Sequence, residues 1–358
     1  MSRAGTLNRS VRRRALVAAT VAIVALALAA LPAQARTRAA ANDKNKKLDL
    51  SDVTLRIGFS AVRDNSTQDI RLASGAFENT PYDIKWAQFN GSTQSLEALN
   101  AGALDLIPDG MALNVVLAQA GAKEPWTRDT TPFTIISASE APPSSGAMIA
   151  VHPDSGIKKV KHLRGKKVTY VRGGVSQLWW SMAAREAGLK KGDAQVVELP
   201  VADGRAAFQS GAVDAMSAQH RTLIPLVSTG EAKIIAKSNG AVPEYRVTIV
   251  RSGVLDDKKL AAAVEDFRRR LDRSKRWLLN HQKEAAAIYQ RDAGVTPEDA
   301  KAAVAEFPTT ILPLDDEFTK KLQAEANVLF SDGVTTSNPK VSILFDRRYD
   351  ATGKSSTE

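Results

Sequence analysis

At 358 residues, with 44% hydrophobic and 25% charged side chains, the chain is long enough for two lobes with cores of their own and ordinary in composition for a soluble globular protein. The absence of cysteine excludes disulfides, thiolate metal sites, a cysteine nucleophile and the acylated cysteine of a lipoprotein anchor. The formal charge of +10 is concentrated at the amino terminus, so it excludes a nucleic-acid-binding surface on the folded part rather than suggesting one.

Residues 1–35 read as an export signal peptide. Five arginines (Arg3, Arg9, Arg12, Arg13 and Arg14) precede the uncharged apolar run 15–31, and Ala33-Gln34-Ala35 supplies a small-x-small cleavage site. The cluster RRR matches a twin-arginine signal only in part, which leaves the export route open. Removing the leader lowers the net charge to +5, and the basic flexible tail 36–50 carries most of that remainder. The four histidines, His152, His162, His220 and His281, lack metal-ligand spacing.

The folded part opens with an alternating strand over 53–60, a helix over about 67–77 and a strand over 82–89. A helix from Ser92 closes at Gly102, a short strand follows over 103–107, and Pro108-Asp109-Gly110 is expected to turn the chain into a helix over 111–119. Strands over 131–138 and 147–151 flank the flexible stretch 141–146. Next, 167–171 is β-like, Arg172-Gly173-Gly174 breaks it, and a helix begins with Ser176 as its expected cap. A helix mouth of this kind suits an anion, although glycines at such junctions are also plain turn chemistry. Strands over 195–199, 212–217 and 232–236 alternate with helices over 203–209 and from Thr222, and 245–250 returns the chain to the first lobe. The alternation predicts a parallel-rich α/β architecture. Leu260, Val264, Phe267, Leu271 and Leu278 recur at helical spacing, and Thr296-Pro297-Glu298-Asp299 is a helix start.

An internal echo ties the halves together. Residues 98–106 read ALNAGALDL and residues 207–215 read AFQSGAVDA, an offset of 109, as if one helix-Gly-strand corner were used twice. Crossings near 138–146 and 238–246 would then form a two-strand hinge that permits the lobes to close on a ligand. The expected domains are 51–140 with 243–358 as lobe I, and 146–239 as lobe II.

LRIGFS, LEALNAGALDL, IKKVKHLRGKKVTYVRGGVSQ, RAAFQSGAVDA and VSILFDRRY, taken as an ordered set over about 53–349, resemble the aliphatic sulfonate, taurine and nitrate binding proteins of bacterial ABC importers. The resemblance implies a type II periplasmic-binding-protein fold, two α/β lobes joined by a two-strand hinge, without catalysis, cofactor or metal. It implies an exported, monomeric protein without a lipid anchor, partnered by a small organic anion and a membrane permease. Carried over by position, ligand contacts fall on Ser60 and Ala61, on Asp109, Gly110 and Met111, on Gly174, Val175 and Ser176, and on Gln219, His220 and Arg221. The last group departs from the Trp-Asp-Pro of many relatives, and exchanges an acid for potential cations. Arg221 could pair with a sulfonate through two parallel N–H bonds or with a nearby acid. Asp109 either caps the following helix or reads an amino group on a zwitterionic ligand. Of the adjacent Trp179 and Trp180, one is expected in the core and the other against an organic tail. Rival readings are a desulfinase-like or thiamine-pyrimidine-synthase-like enzyme, disfavoured without cysteine, a thiamine-pyrimidine-type ligand, and an exported sensor with another partner.

Overall fold

The computed structural model describes residues 48–60, 66–89, 91–307 and 309–349. The expected signal peptide, and the expected tail up to residue 47, lie outside them. The first part of the fold runs β1 (Thr54–Ser60), α1 (Ser66–Ala73), β2 (Asp83–Phe89), α2 (Ser92–Asn100), β3 (Leu106–Met111), α3 (Ala112–Ala120) and β4 (Phe133–Glu140). The middle holds β5 (Ala147–Val151), β6 (Lys167–Tyr170), α4 (Val175–Glu186), β7 (Gln195–Glu198), α5 (Val201–Gln209), β8 (Ala215–Gln219), α6 (His220–Ser228) and β9 (Lys233–Lys237). It ends with β10 (Tyr245–Arg251), α7 (Lys258–Asn280), α8 (Gln282–Ala293), α9 (Pro297–Val304), β11 (Thr310–Leu312) and α10 (Asp316–Ser331).

These strands form two sheets, ordered β11-β4-β10-β3-β1-β2 and β7-β6-β8-β5-β9. The fold is two α/β lobes, but the sheets are mixed rather than parallel-rich. Only β2-β1-β3 and β7-β6-β8 pair in parallel. The chain leaves the first sheet along β4 and returns along β10 without a crossover helix, so these neighbours must run antiparallel. The two crossings lie side by side. The Ala141 N–H donates to the Glu244 carbonyl (3.0 Å), and the Ser238 N–H to that of Ala147 (2.9 Å).

The sequence echo is a structural corner used twice. Gly102 and Gly211 end α2 and α5 in the left-handed region (φ 78 and 76). Asp105 then exchanges bonds with Arg56: its N–H donates to the Arg56 carbonyl (2.8 Å), and its carboxylate accepts the Arg56 N–H (2.9 Å). Asp214 does the same with Lys167, at 2.9 and 2.8 Å. In each sheet the aspartate fixes where the incoming strand begins.

Three local expectations need correction. β3 continues through 108–110, where a turn was expected; Asp109 takes a left-handed backbone (φ 53) inside the strand, and α3 starts at Ala112 without a side-chain cap. α4 begins at Val175 with Gly174 as its N-cap, which leaves Ser176 buried in the first turn. Trp179 and Trp180 are both buried, because α4 is covered on one side by its own sheet and on the other by Leu113, Leu117 and Leu329 of α3 and α10. The α9 start behaves as its sequence suggests: the Thr296 hydroxyl accepts the Asp299 N–H.

Candidate functional site

A cavity of about 110 Å³ opens beside the two crossings. An engineered apolar cavity of roughly 150 Å³ holds a benzene ring, so this one admits only a small molecule. Helical periodicity supplies two walls: Thr67, Ile70 and Arg71 lie on one face of α1, and Leu271, Ser274, Lys275 and Leu278 on one face of α7. The end of β3 brings Asp109, β10 brings Arg246, and the second sheet reaches in through Arg221 at the start of α6.

The charged side chains fall into two groups. The Asp109 carboxylate sits between the Arg71 guanidinium (3.0 Å) and the Lys275 ammonium (2.7 Å). Burial alone would raise its pKa, but the Lys275 and Arg71 cations outweigh burial and hold it well below the usual carboxylate range. Asp109 therefore neither caps α3 nor stands free for an amino group. Glu244, on the second crossing, is fully buried and gathers Arg246, Arg221 and Gln219. The Arg246 Nε donates to it at 2.6 Å, while Arg221 stands at 3.7 Å and donates at 2.6 Å to the Gln219 side-chain oxygen. Here too burial opposes ionisation, and the Arg246 and Arg221 cations prevail to lower the pKa. A third carboxylate, Glu306, lines the cavity but is bonded to the His220 Nδ1.

Of the residues expected from sequence, Asp109 and Arg221 line this cavity. Gln219 holds Arg221 from behind, and His220 turns to Glu306. Gly110 packs against Ile249, where an added Cβ would lie 2.8 Å from its Cδ1, and Met111 packs into the core of the second sheet. Gly174, Val175 and Ser176 are not among the lining residues. The close approach that their glycine turn permits is to α3: at Gly173 (φ 74) a Cβ would meet Asn114 and Leu117 at 2.6 Å. Ser60 ends β1, its side chain and Ala61 lying outside the described residues. Arg71, Arg246, Lys275, Glu244 and Glu306 escaped the sequence reading. Among the described residues no group of three His, Asp or Glu is placed to hold a metal ion.

Residues 130–285, from β4 through α7, match the NMT1/THI5-like family. An aliphatic sulfonates-binding protein of Escherichia coli (strain K12) is 32% identical over 193 residues, 54% of this chain and 55% of that protein. Its counterpart in Bacillus subtilis (strain 168) is 26% identical over 215 residues, 60% and 61% of the two chains. The chain thus spans little more than half the length of the curated relatives it matches, and both are named as binding proteins rather than enzymes. In fold it is similar to the alkanesulfonate-binding protein of Xanthomonas axonopodis pv. citri solved with MOPS (TM-score 0.70, 21% identity, covering 83% of this chain and 99% of that one). The periplasmic aliphatic sulphonate binding protein of Escherichia coli gives 0.66 at 23% identity (81% and 96%), and the periplasmic nitrate-binding protein of Synechocystis PCC 6803 gives 0.62 at 14% (83% and 86%). The chain resembles the aliphatic sulfonate-binding proteins in sequence and has the two-lobed fold of the periplasmic binding proteins.

Proposed function

We propose that the protein is an exported solute-binding protein of an ABC importer, which captures a small organic anion between two lobes (51–140 with 243–358, and 146–239) and delivers it to a membrane permease. One observation carries the reading: four cations, Arg71, Arg221, Arg246 and Lys275, converge on one small cavity, and Arg221 comes from the second sheet while the other three come from the first. Lobe closure then brings the last cation to a ligand already held by the others, so binding and closure are one event. Alkyl side chains of Ile70, Leu271 and Leu278 leave room for a short carbon chain beside the charges. A neutral pyrimidine gains little from such a wall of cations. Chemistry is not part of the proposal: a desulfinase studied as a Cys-to-Ser variant shares the fold at a TM-score of 0.56 and 13% identity, and this chain has no cysteine.

The test is a thermal-shift screen of the purified protein against alkanesulfonates, taurine, nitrate, sulfate, carboxylates and a thiamine pyrimidine precursor. A ligand at 100 times its dissociation constant adds about 2.7 kcal/mol to the folded state. Anions should raise the melting temperature, and Arg221→Ala should weaken the best of them by about 1.5 to 3 kcal/mol, the worth of a charge-assisted hydrogen bond. A response only to neutral or cationic compounds, or an unchanged affinity in the variant, contradicts the site.

A further inference from the structure

Each cation in the cavity already has a carboxylate, and the way they share carboxylates is informative. Asp109 is flanked by Arg71 and Lys275, and Glu244 by Arg246 and Arg221. Both are cation–carboxylate–cation triads, and each carries one positive charge in excess. Glu306 does not cancel either, since its own counterpart is His220. The triads are built from different elements: one from α1, β3 and α7, the other from the second crossing, β10 and α6. Arg246 nevertheless lies near enough to Asp109 to help hold it ionised. The cavity thus presents two neighbouring centres of surplus positive charge in a space that admits only a few heavy atoms. A ligand with one negative charge leaves one triad unmatched in a partly desolvated site, at a cost that a second anionic group removes.

Resting on the solute-binding reading above, we infer that the natural ligand is a short two-headed dianion, with a sulfonate or carboxylate at each end of one or two carbons, and one head on each triad. Isothermal titration at fixed ionic strength tests this with a matched panel: sulfoacetate, malonate and succinate against ethanesulfonate, taurine and propanoate, with sulfate as a one-headed dianion. The two-headed dianions should bind at least about tenfold tighter than the monoanions. Arg71→Met and Arg221→Met each leave one triad neutral, so either change should abolish that preference while the chain, with no carboxylate stranded, stays folded. Ethanesulfonate within about threefold of sulfoacetate overturns the two-charge inference and leaves the solute-binding reading standing, as does sulfate matching sulfoacetate. Silence across the panel from protein with a normal melting transition overturns both.

Discussion

Arg221 shows what a residue-level reading can and cannot reach. Its position after a buried strand marks it as a potential anion ligand, and its side chain lines the cavity, but its partners Gln219 and Glu244 are two and 23 positions away. Lys275 and Arg71 were not legible at all. Each sits on an amphipathic helix at a position that pattern assigns to a solvated face, and only the packing of α1 and α7 on the end of β3 turns that face inward. Glu325 on α10 is a second case. It is 8% exposed, its Oε1 has no hydrogen-bond partner, and burial, reinforced by the nearby Glu140 carboxylate, pushes its pKa well above the usual glutamate range. Between the ordinary glutamate value and the raised one, the folded chain holds a proton that the unfolded chain has lost. Stability from this side chain therefore falls as pH rises through that window, opposite in sign to Asp109 and Glu244, whose contributions are lost as pH falls through their depressed values. Glu325→Gln removes the ionisation: urea melts should show a gain of about 1–3 kcal/mol at pH 8 that shrinks toward zero by about pH 4. A gain independent of pH would mean that Glu325 is not the titrating group.

At the scale of elements, the repeated corner was readable because it needs particular residues at fixed spacing: a glycine able to take positive φ, then an aspartate two residues before or at the strand edge. The two copies differ in burial. Asp105 is 2% exposed and also receives the side chains of Arg56 (2.5 Å) and Arg251 (3.3 Å), whereas Asp214 is 36% exposed and meets Lys166 at 3.5 Å. Replacing Asp105 strands buried backbone and guanidinium donors; water can replace most of what Asp214 provides. Asp105→Ala should cost about 2–4 kcal/mol in chemical denaturation and Asp214→Ala about 1 kcal/mol or less. Equal losses would mean that the aspartate's value lies in the strand-start bonds the copies share, and not in the arginine network. The strand directions were less legible. Antiparallel pairing of β4 with β10, and of β5 with β8 and β9, follows from two helix-free crossings, and local alternation is the same in either direction.

For the molecule as a whole, function requires that the second sheet with its helices part from the first and return. The cavity lies at the hinge, where Glu244 ties Arg246 of the first sheet to Arg221 of the second. Farther out, α6 meets α9: the Ser228 hydroxyl donates to the Asp299 carboxylate at 2.6 Å, and Asp299 is 8% exposed. On the other flank Arg185 meets Asp332 at 3.1 Å, but its side chain is 55% exposed and such a pair contributes little. The α6–α9 contact is thus the stronger latch, and it touches no residue that lines the cavity. Ser228→Ala leaves one oxygen of a buried carboxylate without its donor while the latch is shut, and water restores that bond when it opens. The substitution therefore penalises the closed arrangement alone, by about 1–2 kcal/mol. A ligand enters the open form and is released through it, so the penalty should appear in dissociation: stopped-flow release about tenfold faster, with association changed less than about twofold. If both rates match the unaltered protein, the α6–α9 contact does not set the closed population, and the Glu244 tie at the hinge must hold the lobes together by itself.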